Sequence, residues 1–434
     1  MRKTKWGLCL VLLVLVLGLV TVLAACGDEE ETTTTAPAAT ETTAPAATET
    51  TAPAATETTA PAATETTAPA ATETLKIGAI LALTDWYSVV DAADERDLKL
   101  TAQMINEDGG IQVQGKSYNI ELAIEDCKSS LDGASAAATK LVLDDKLQFV
   151  VGPGAFFNLA TAQIFEQNKV LHVANYNGCN PDEMNSTTTY AFLGLDPITQ
   201  ANAELKALLK YYPDVKTVCL ATEDATYEAF KPHFLALVER LGLTLSGDPV
   251  LFATNAEDYN PVAAQIKAQN PDSVWMPVGI DPSYFGILTG LRTLGWDGPV
   301  TFPIDAPSVT AALGDAATGI VGVLSKQVTD PYMAAPMKRL LEMDDVNRHI
   351  FGLAPNALYL LAHAIESADS LDPTEVRDHW ETLTSLPTLY GDGFPSGNQL
   401  FGLTNHAWAN PIPVALVNDG QVEYKEWIIP DVTP

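Results

Sequence analysis

The 434-residue sequence lacks the patterns on which most enzyme chemistry rests. No serine stands in a G-x-S-x-G elbow and no H-E-x-x-H pair occurs, so neither an esterase-like nucleophile nor a zinc protease site is legible. Histidine is scarce, with six scattered copies. His172 falls in a strand pattern and His363 and His379 in helical ones, positions better suited to packing than to ligation. The five cysteines, Cys9, Cys26, Cys127, Cys179 and Cys219, show no metal-like spacing. Positive charge is also short, 24 Lys and Arg against 55 Asp and Glu. From residue 75 onward the balance is still 21 against 46, which argues against nucleic acid or an anionic membrane surface as a partner. It says nothing about the charge inside a cleft. No cofactor and no metal is implied.

What is present begins with an export signal. Arg2, Lys3 and Lys5 precede an almost wholly apolar run over residues 6–23, followed by Leu23-Ala24-Ala25-Cys26. A charged start, an apolar core and small residues mark a cleaved signal rather than a mature helix. The alternative is a permanent anchor, since about 18 apolar residues just span a bilayer. Leu-Ala-Ala-Cys resembles a bacterial lipobox, which implies a signal peptide over 1–25 and lipidation of Cys26. Each buried methylene adds about 0.8 kcal/mol of membrane affinity, so several acyl chains hold a protein firmly. Residues 26–74 then read as a tether. Residues 34–73 are five copies of TTAPAATE, without an aromatic or a basic residue. Such a segment cannot bury enough apolar surface to offset its ordering entropy. As a flexible coil it reaches roughly 40 Å. With Cys9 removed and Cys26 acylated, Cys127, Cys179 and Cys219 remain, enough for one disulfide and a free thiol. Cys219 lies in an apolar run and reads as core.

The remaining 360 residues exceed what one core supports, so two domains are expected. Short apolar runs alternate with helical patterns, the signature of parallel α/β structure. Strands are expected at 75–83, 120–124, 149–151 and 170–174, with helices around Leu98, Ala102 and Ile105 and over 158–167. A second series follows, with strands at 215–221, 250–253, 273–278, 300–304 and 320–324 and helices between them. Leu358, Leu361, Ala362 and Ile365 mark one face of a later helix, and 374–383 another helix. The chain closes on a hairpin, 414–417 and 422–427, around Asn418-Asp419-Gly420. Two sheets in succession imply two lobes and a crevice beyond the carboxyl ends of the strands. One motif misleads. Gly110 to Ser117 matches the phosphate-cradling pattern G-x-x-x-x-G-K-S, but that loop needs a strand before it and a helix after it. Here a helix precedes and a strand follows, so nucleotide binding is rejected. The Glu125-Asp126 pair, at a strand end, reads as solvated loop carboxylates.

Four segments carry a resemblance: Leu75-Lys-Ile-Gly-Ala-Ile-Leu-Ala-Leu-Thr84, Met104-Ile-Asn-Glu-Asp-Gly-Gly-Ile111, Ile124-Glu-Asp126 and Val150-Val-Gly-Pro153. In this order they resemble the Leu/Ile/Val-binding family of type I periplasmic binding proteins, which serve ABC importers. The likeness runs over the whole body and is most specific in its first part. It implies two Rossmann-like lobes with parallel sheets joined by a three-stranded hinge. The crossovers fall near Asp196, Lys326 and 405–411, giving one lobe of 75–196 plus 327–405 and another of 197–326 plus 406–434.

The resemblance also places a pocket. After the first strand stand Trp86 and Tyr87. Where family members that bind amino acids carry carboxylate-holding serines, this sequence has Phe156, Phe157 and Asn158. A further loop offers Tyr176 and Asn177. Tyr227 matches a cleft tyrosine, and Asp305 the acid that pairs with a ligand's ammonium. Loss of the serines weakens the expected carboxylate clamp, while six aromatics suit a flat ring or a cation. The implied function is capture of a small amino-acid-like, amide or aromatic solute at the outer face of the cytoplasmic membrane, by hinge closure, and delivery to an ABC permease. A ligand-sensing protein for a membrane receptor is the alternative of a different class, and an enzyme on the same scaffold a third.

Overall fold

The structure is a computed structural model that describes residues 73–175, 184–253, 256–279, 281–303, 306–323, 330–343 and 353–431. The export signal, Cys26 and nearly all of the repeat tether lie outside it, as does Cys179.

The first lobe is built on β1 (Glu73–Leu81), β2 (Ile111–Val113), β3 (Lys116–Asp126), β4 (Phe149–Val151), β5 (Leu171–Ala174) and β6 (Ala191–Leu193), in the order β2-β3-β1-β4-β5-β6. The chain leaves β1 toward β3 on one side and reaches β4 on the other, so the sheet has its switch point there. A crevice beyond the carboxyl ends of β1 and β4 is where such sheets take ligands. β4 and β5 are buried along their whole length, as an interior parallel strand demands, and both are runs without polar alternation. Helices α1 (Ser88–Glu107), α2 (Leu131–Thr139) and α3 (Ala162–Asn168) join them. One face of the sheet packs against α1 and the helix Leu353–Ala368, whose Leu358, Leu361, Ala362 and Ile365 turn into the core. Phe192 is sandwiched between Trp380 and His406, with ring centroids 4.3 and 4.5 Å away.

The second lobe starts with α4 (Pro197–Tyr211), β7 (Thr217–Glu223) and α5 (Asp224–Arg240). It continues through β8 (Thr244–Leu245), β9 (Val250–Phe252), β10 (Ser273–Trp275), β11 (Val300–Phe302) and β12 (Ile320–Val323). A small antiparallel sheet, β13 (Leu386–Thr388), β14 (Gly391–Pro395) and β15 (Trp408–Ala409), follows before the closing hairpin β16 (Ile412–Asn418) and β17 (Gln421–Ile428). The hairpin completes the large sheet, β17-β16-β12-β11-β10-β7-β8, with β16 antiparallel to β12. Its turn is Asp419-Gly420, both left-handed, as a two-residue type I′ connection requires.

Between lobes the chain passes at 194–196 and again at 407–411. These two crossovers run side by side: Leu193 bridges Ala407 in parallel, and Asp196 donates its backbone N–H to the Trp408 carbonyl at 3.1 Å. Asp196 then caps α4 by accepting from the N–H groups of Ile198 and Thr199. Lys326, near which the third crossover is expected, lies outside the described residues.

The sheets are parallel-dominated, with the expected closing hairpin β16–β17 and the short β2 entering antiparallel. Two elements differ from the sequence reading. The helix expected over 158–167 is a 3-10 turn, Ala155–Ala160, followed by α3; Thr161 at the break bonds back to the Asn158 carbonyl, a local alternative to the helix ladder. The phosphate-loop look-alike is a hairpin. Val113 pairs with Lys116 around Gln114-Gly115, both left-handed, and no helix opens there to face an anion.

Candidate functional site

The carboxyl ends of β1, β3, β4 and β5 deliver four loops to one face of the first lobe. Asp126, at the end of β3, fastens two of them. Its carboxylate accepts from the Leu83 N–H at 2.9 Å, the Thr84 hydroxyl at 2.8 Å and the Lys128 N–H at 2.7 Å. Partial burial pushes its carboxyl up, but these bonds, the one from Lys128 foremost, outweigh it and hold Asp126 below the usual aspartate range. The carboxylate read as solvated is therefore a loop clamp. Ser129 completes the fastening, accepting from the Tyr87 N–H and donating to the Thr84 carbonyl, while the Trp86 indole donates to the Ser129 carbonyl at 3.2 Å. Asp85, Lys128 and Ser129 all adopt left-handed backbone here, a conformation that persists only where surrounding bonds impose it.

Three of the expected aromatics meet on this face. Tyr87 lies edge-on to Trp86 at 5.2 Å and to Phe157 at 5.6 Å, and Trp86 and Phe157 are 6.2 Å apart. Their exposures differ sharply: Phe157 is 0 %, Tyr87 9 % and Trp86 39 % exposed. Phe157 and Tyr87 fill the core between the sheet and α2, and Trp86 is the ring turned outward. Asn158 is buried too, with Oδ1 2.9 Å from His172 Nε2. Burial drives the His172 imidazole down to about 3, which keeps it neutral. Tyr227 stands on α5 in the other lobe, buried in that lobe's core, with the Lys231 ammonium 5.4 Å from its ring centre. The side chain of Phe156, and all of Tyr176, Asn177 and Asp305, lie outside the described residues.

Other residues reach the same face without having been singled out. The loop after β4 starts at Gly152, left-handed at φ +81°, where a Cβ would stand 2.3 Å from the Ile80 carbonyl; only glycine fits. Gly154 is extended, and its Cα points at two polar side chains. A Cβ there would lie 3.9 Å from Asp91 Oδ1 and 3.8 Å from Asn175 Nδ2. Asp91 sits in the first turn of α1, 2 % exposed, and its Oδ2 accepts from the Ala82 N–H at 2.7 Å. Burial, then the neighbouring Asp94, raises its carboxyl well above the ordinary range, with the Ala82 N–H opposing. Asn175, at the end of β5, is 1 % exposed, and neither end of its amide has a hydrogen-bond partner among the described residues. In the other lobe, at the end of β7, Glu223 is buried and the Thr222 hydroxyl donates to the Val278 carbonyl, while Asp224, at the start of α5, is exposed.

Asp91, Asp94 and Asp97 lie three residues apart and all are buried. Asp94 accepts from the Ala354 N–H at 2.8 Å, at the start of the helix Leu353–Ala368. A triplet of acids at i, i+3 and i+6 on the apolar side of a helix is the signal that could have found them.

Among the described residues no set of His, Cys, Asp and Glu is arranged to hold a metal, and no helix is long and apolar enough to cross a membrane. Cys127 and Cys219 are both buried thiols, and burial pushes Cys127 up to about 11 and Cys219 up to about 12.

Known proteins resemble this chain closely in architecture. A family model described as periplasmic binding protein matches residues 74–421. A leucine-binding protein of Thermotoga maritima superposes with TM-score 0.63 at 22% identity, covering 82% of this chain and 99% of that one. A branched-chain amino acid transporter substrate-binding protein of Streptococcus pneumoniae, in complex with isoleucine, gives 0.66 at 20% identity over 82% and 100%. A solute-binding protein of an ABC transporter from R. palustris, in complex with 4-hydroxybenzoate, gives 0.66 at 17% identity over 82% and 98%.

Proposed function

The chain belongs to the periplasmic binding protein family, a solute-binding and extracytoplasmic one, and from that premise we propose that it captures a small solute between its lobes and hands it to an ABC importer. The observation that carries the reading is the pair of parallel-dominated α/β sheets joined by two crossovers that run side by side. Ligand contacts on both faces favour the closed arrangement, and the permease recognises that arrangement. The body divides at the crossovers into 75–196 with 327–405 and 197–326 with 406–434. Cys26 carries the lipid, and the repeat tether gives the body reach from the membrane.

The solute has an amino-acid-like or aromatic body. Trp86 supports this, as a large ring exposed in the loop after β1, together with the isoleucine and 4-hydroxybenzoate carried by structural relatives. Phe156, Phe157, Tyr87, Tyr176 and Tyr227 are the further aromatic contributors, with Asn158 and Asn177 as polar ones and Asp305 at the donor end of the ligand. Mass spectrometry of small molecules released from the purified protein tests the function, backed by a thermal-shift screen. A ligand at 100 times its dissociation constant adds about 2.7 kcal/mol of stability, a shift the screen detects. Recovery of a chemically altered solute after incubation would instead point to catalysis.

A further inference from the structure

We propose that Trp427 is a hinge guide: a side chain of the second lobe, seated in a socket on the first, that restricts the lobes to the rotation which closes them on a solute. The guide goes beyond capture as such and depends on that reading for its use. β17 belongs to the sheet of the second lobe, and Trp427 stands near its end, opposite Pro413. The hairpin slips register here, with Tyr424 to Trp427 on β17 set against Ala415 to Pro413 on β16. A bulge of this kind re-aims the side chain beside it. The Trp427 ring packs onto a first-lobe cluster that joins Met104 of α1, Met337 of the helix Ala335–Glu342 and Tyr390 of the β13–β14 turn. Its centroid lies 6.0 Å from that of Tyr390. Its indole Nε1–H donates to Asp330 Oδ2 at 2.9 Å, and the Tyr332 N–H holds the other carboxylate oxygen at 2.8 Å. Asp330 is buried, which shields this bond from water, and a bond to a carboxylate is roughly twice as strong as one between neutral groups.

The socket is mounted on the hinge itself. β14 pairs with β15, which is part of the crossover at 407–411, with Phe394 opposite Ala409. A Cβ on Gly391 would stand 3.6 Å from Pro411 Cγ, so the turn carrying Tyr390 runs beside the crossover as far as the second lobe. Trp427 meets it there. Two crossovers side by side make a narrow hinge that would twist as readily as it closes, and a contact beside them opposes the twist. The lining is suited to a sliding contact. Met333 and Met343 join Met104 and Met337 in the cluster, and unbranched thioethers repack about a shifting ring without leaving a void. Trp427 is itself only half-buried, which leaves it room to move. Fewer unproductive orientations mean a larger closure-competent fraction, and apparent affinity rises with that fraction.

Interlobe distances test the guide without a solute. Spin labels on p-acetylphenylalanine at Gln167 and Glu239, exposed helical positions on the first and second lobe, are read by pulsed electron resonance in the full-length, detergent-solubilised protein. The expected result is a distance distribution about twofold broader in Trp427→Ala than in the parent, with a smaller broadening in Trp427→Phe, which keeps a ring but loses the N–H, and in Asp330→Asn. Trp427→Phe decides the matter if Trp427→Ala does not fold. A distribution of parental width in every folded variant overturns the guide, and so does a shifted mean at unchanged width, which would make Trp427 a spacer. Such a result leaves capture standing, because no solute enters the measurement, whereas failure to recover any bound solute counts against capture and leaves the width comparison intact.

Discussion

Replacing Glu204 by glutamine should make this protein more stable at neutral pH. Glu204 lies on α4 with no exposed surface. Its carboxyl meets the Trp275 indole N–H at 2.7 Å and the Gln200 amide at 3.0 Å, and no cation pairs with it among the described residues. Burial pushes it up to about 8, with the bonds from Gln200 and Trp275 only partly opposing. The sign is therefore that of an acid whose folded value exceeds its unfolded one near 4.5. Between these values the folded state holds a proton that the unfolded state has released, so stability falls as pH rises from about 4.5 to about 8. At 1.36 kcal/mol per unit the loss at pH 7 is about 3 kcal/mol, approaching 5 above pH 8. Glutamine has the same shape, keeps an acceptor for the Trp275 N–H and never ionises. Urea midpoints of the two proteins, followed by tryptophan fluorescence, should coincide near pH 4 and separate steadily up to pH 8. Every other titrating group is common to both and cancels. A variant no more stable at pH 7, or an offset independent of pH, refutes the argument and places the ionised carboxylate in the folded protein.

The opposite limb belongs to His172. Its folded value near 3 lies below the unfolded 6.5, so stability is complete above pH 6.5 and is lost as pH falls toward 3; relative to His172→Gln, the parent should lose about 2 kcal/mol between pH 7 and pH 5 in the same urea assay. Trp86→Ala should leave the melting temperature nearly unchanged, because the ring is 39 % exposed, yet weaken an aromatic ligand about fivefold, the ~1 kcal/mol of a ring–ring contact; calorimetric titration with the co-purified solute decides it. Cys26→Ser should abolish incorporation of labelled palmitate, and persistent labelling would show that another residue carries the lipid. Asp305→Asn should weaken an amine ligand by about 3–5 kcal/mol, as loss of one side of a buried charge pair does, with little effect on a ligand that has no cationic group.

The architecture was legible because most strands and helices announce themselves by period alone. β4 reads Phe149-Val150-Val151 and can only be an interior strand, and Asp419-Gly420 ends one strand and starts the next. What the period missed was short: β6, β8 and the three strands of the small sheet run two to five residues, below the length at which alternation is distinguishable from chance. The hairpin at Gln114-Gly115 is the converse case, where the order of elements overruled a motif. A catalytic-looking string of letters there is a turn, because the glycines and the lysine serve strand reversal as well as they would serve a phosphate.

The site was harder for a physical reason that recurs in both lobes. Pattern reading assigns carboxylates and amides to solvent, yet α1 buries Asp91, Asp94 and Asp97 and α4 buries Thr199, Gln200, Asn202 and Glu204. These groups are tolerable inside because backbone N–H groups and neighbouring side chains meet them, as Ala82 meets Asp91, Ala354 meets Asp94 and Trp275 meets Glu204. Partners so distant in sequence leave no local trace; Asp94 and Ala354 are 260 residues apart. Aromatics mislead in the other direction, since Tyr87, Phe157 and Trp86 stand in equivalent loop positions and only the last turns its ring outward. A loop residue's letter reports what it could contact, whereas its direction is set by the bonds of its neighbours, here Asp126 and Ser129. Asp126→Ala should therefore loosen the whole first-strand loop and reorient Trp86, so that the same substitution weakens ligand binding without touching the ligand. Amide hydrogen exchange at Leu83 and Lys128, faster in the variant while β1 stays protected, is the measurement that distinguishes such loosening from general unfolding.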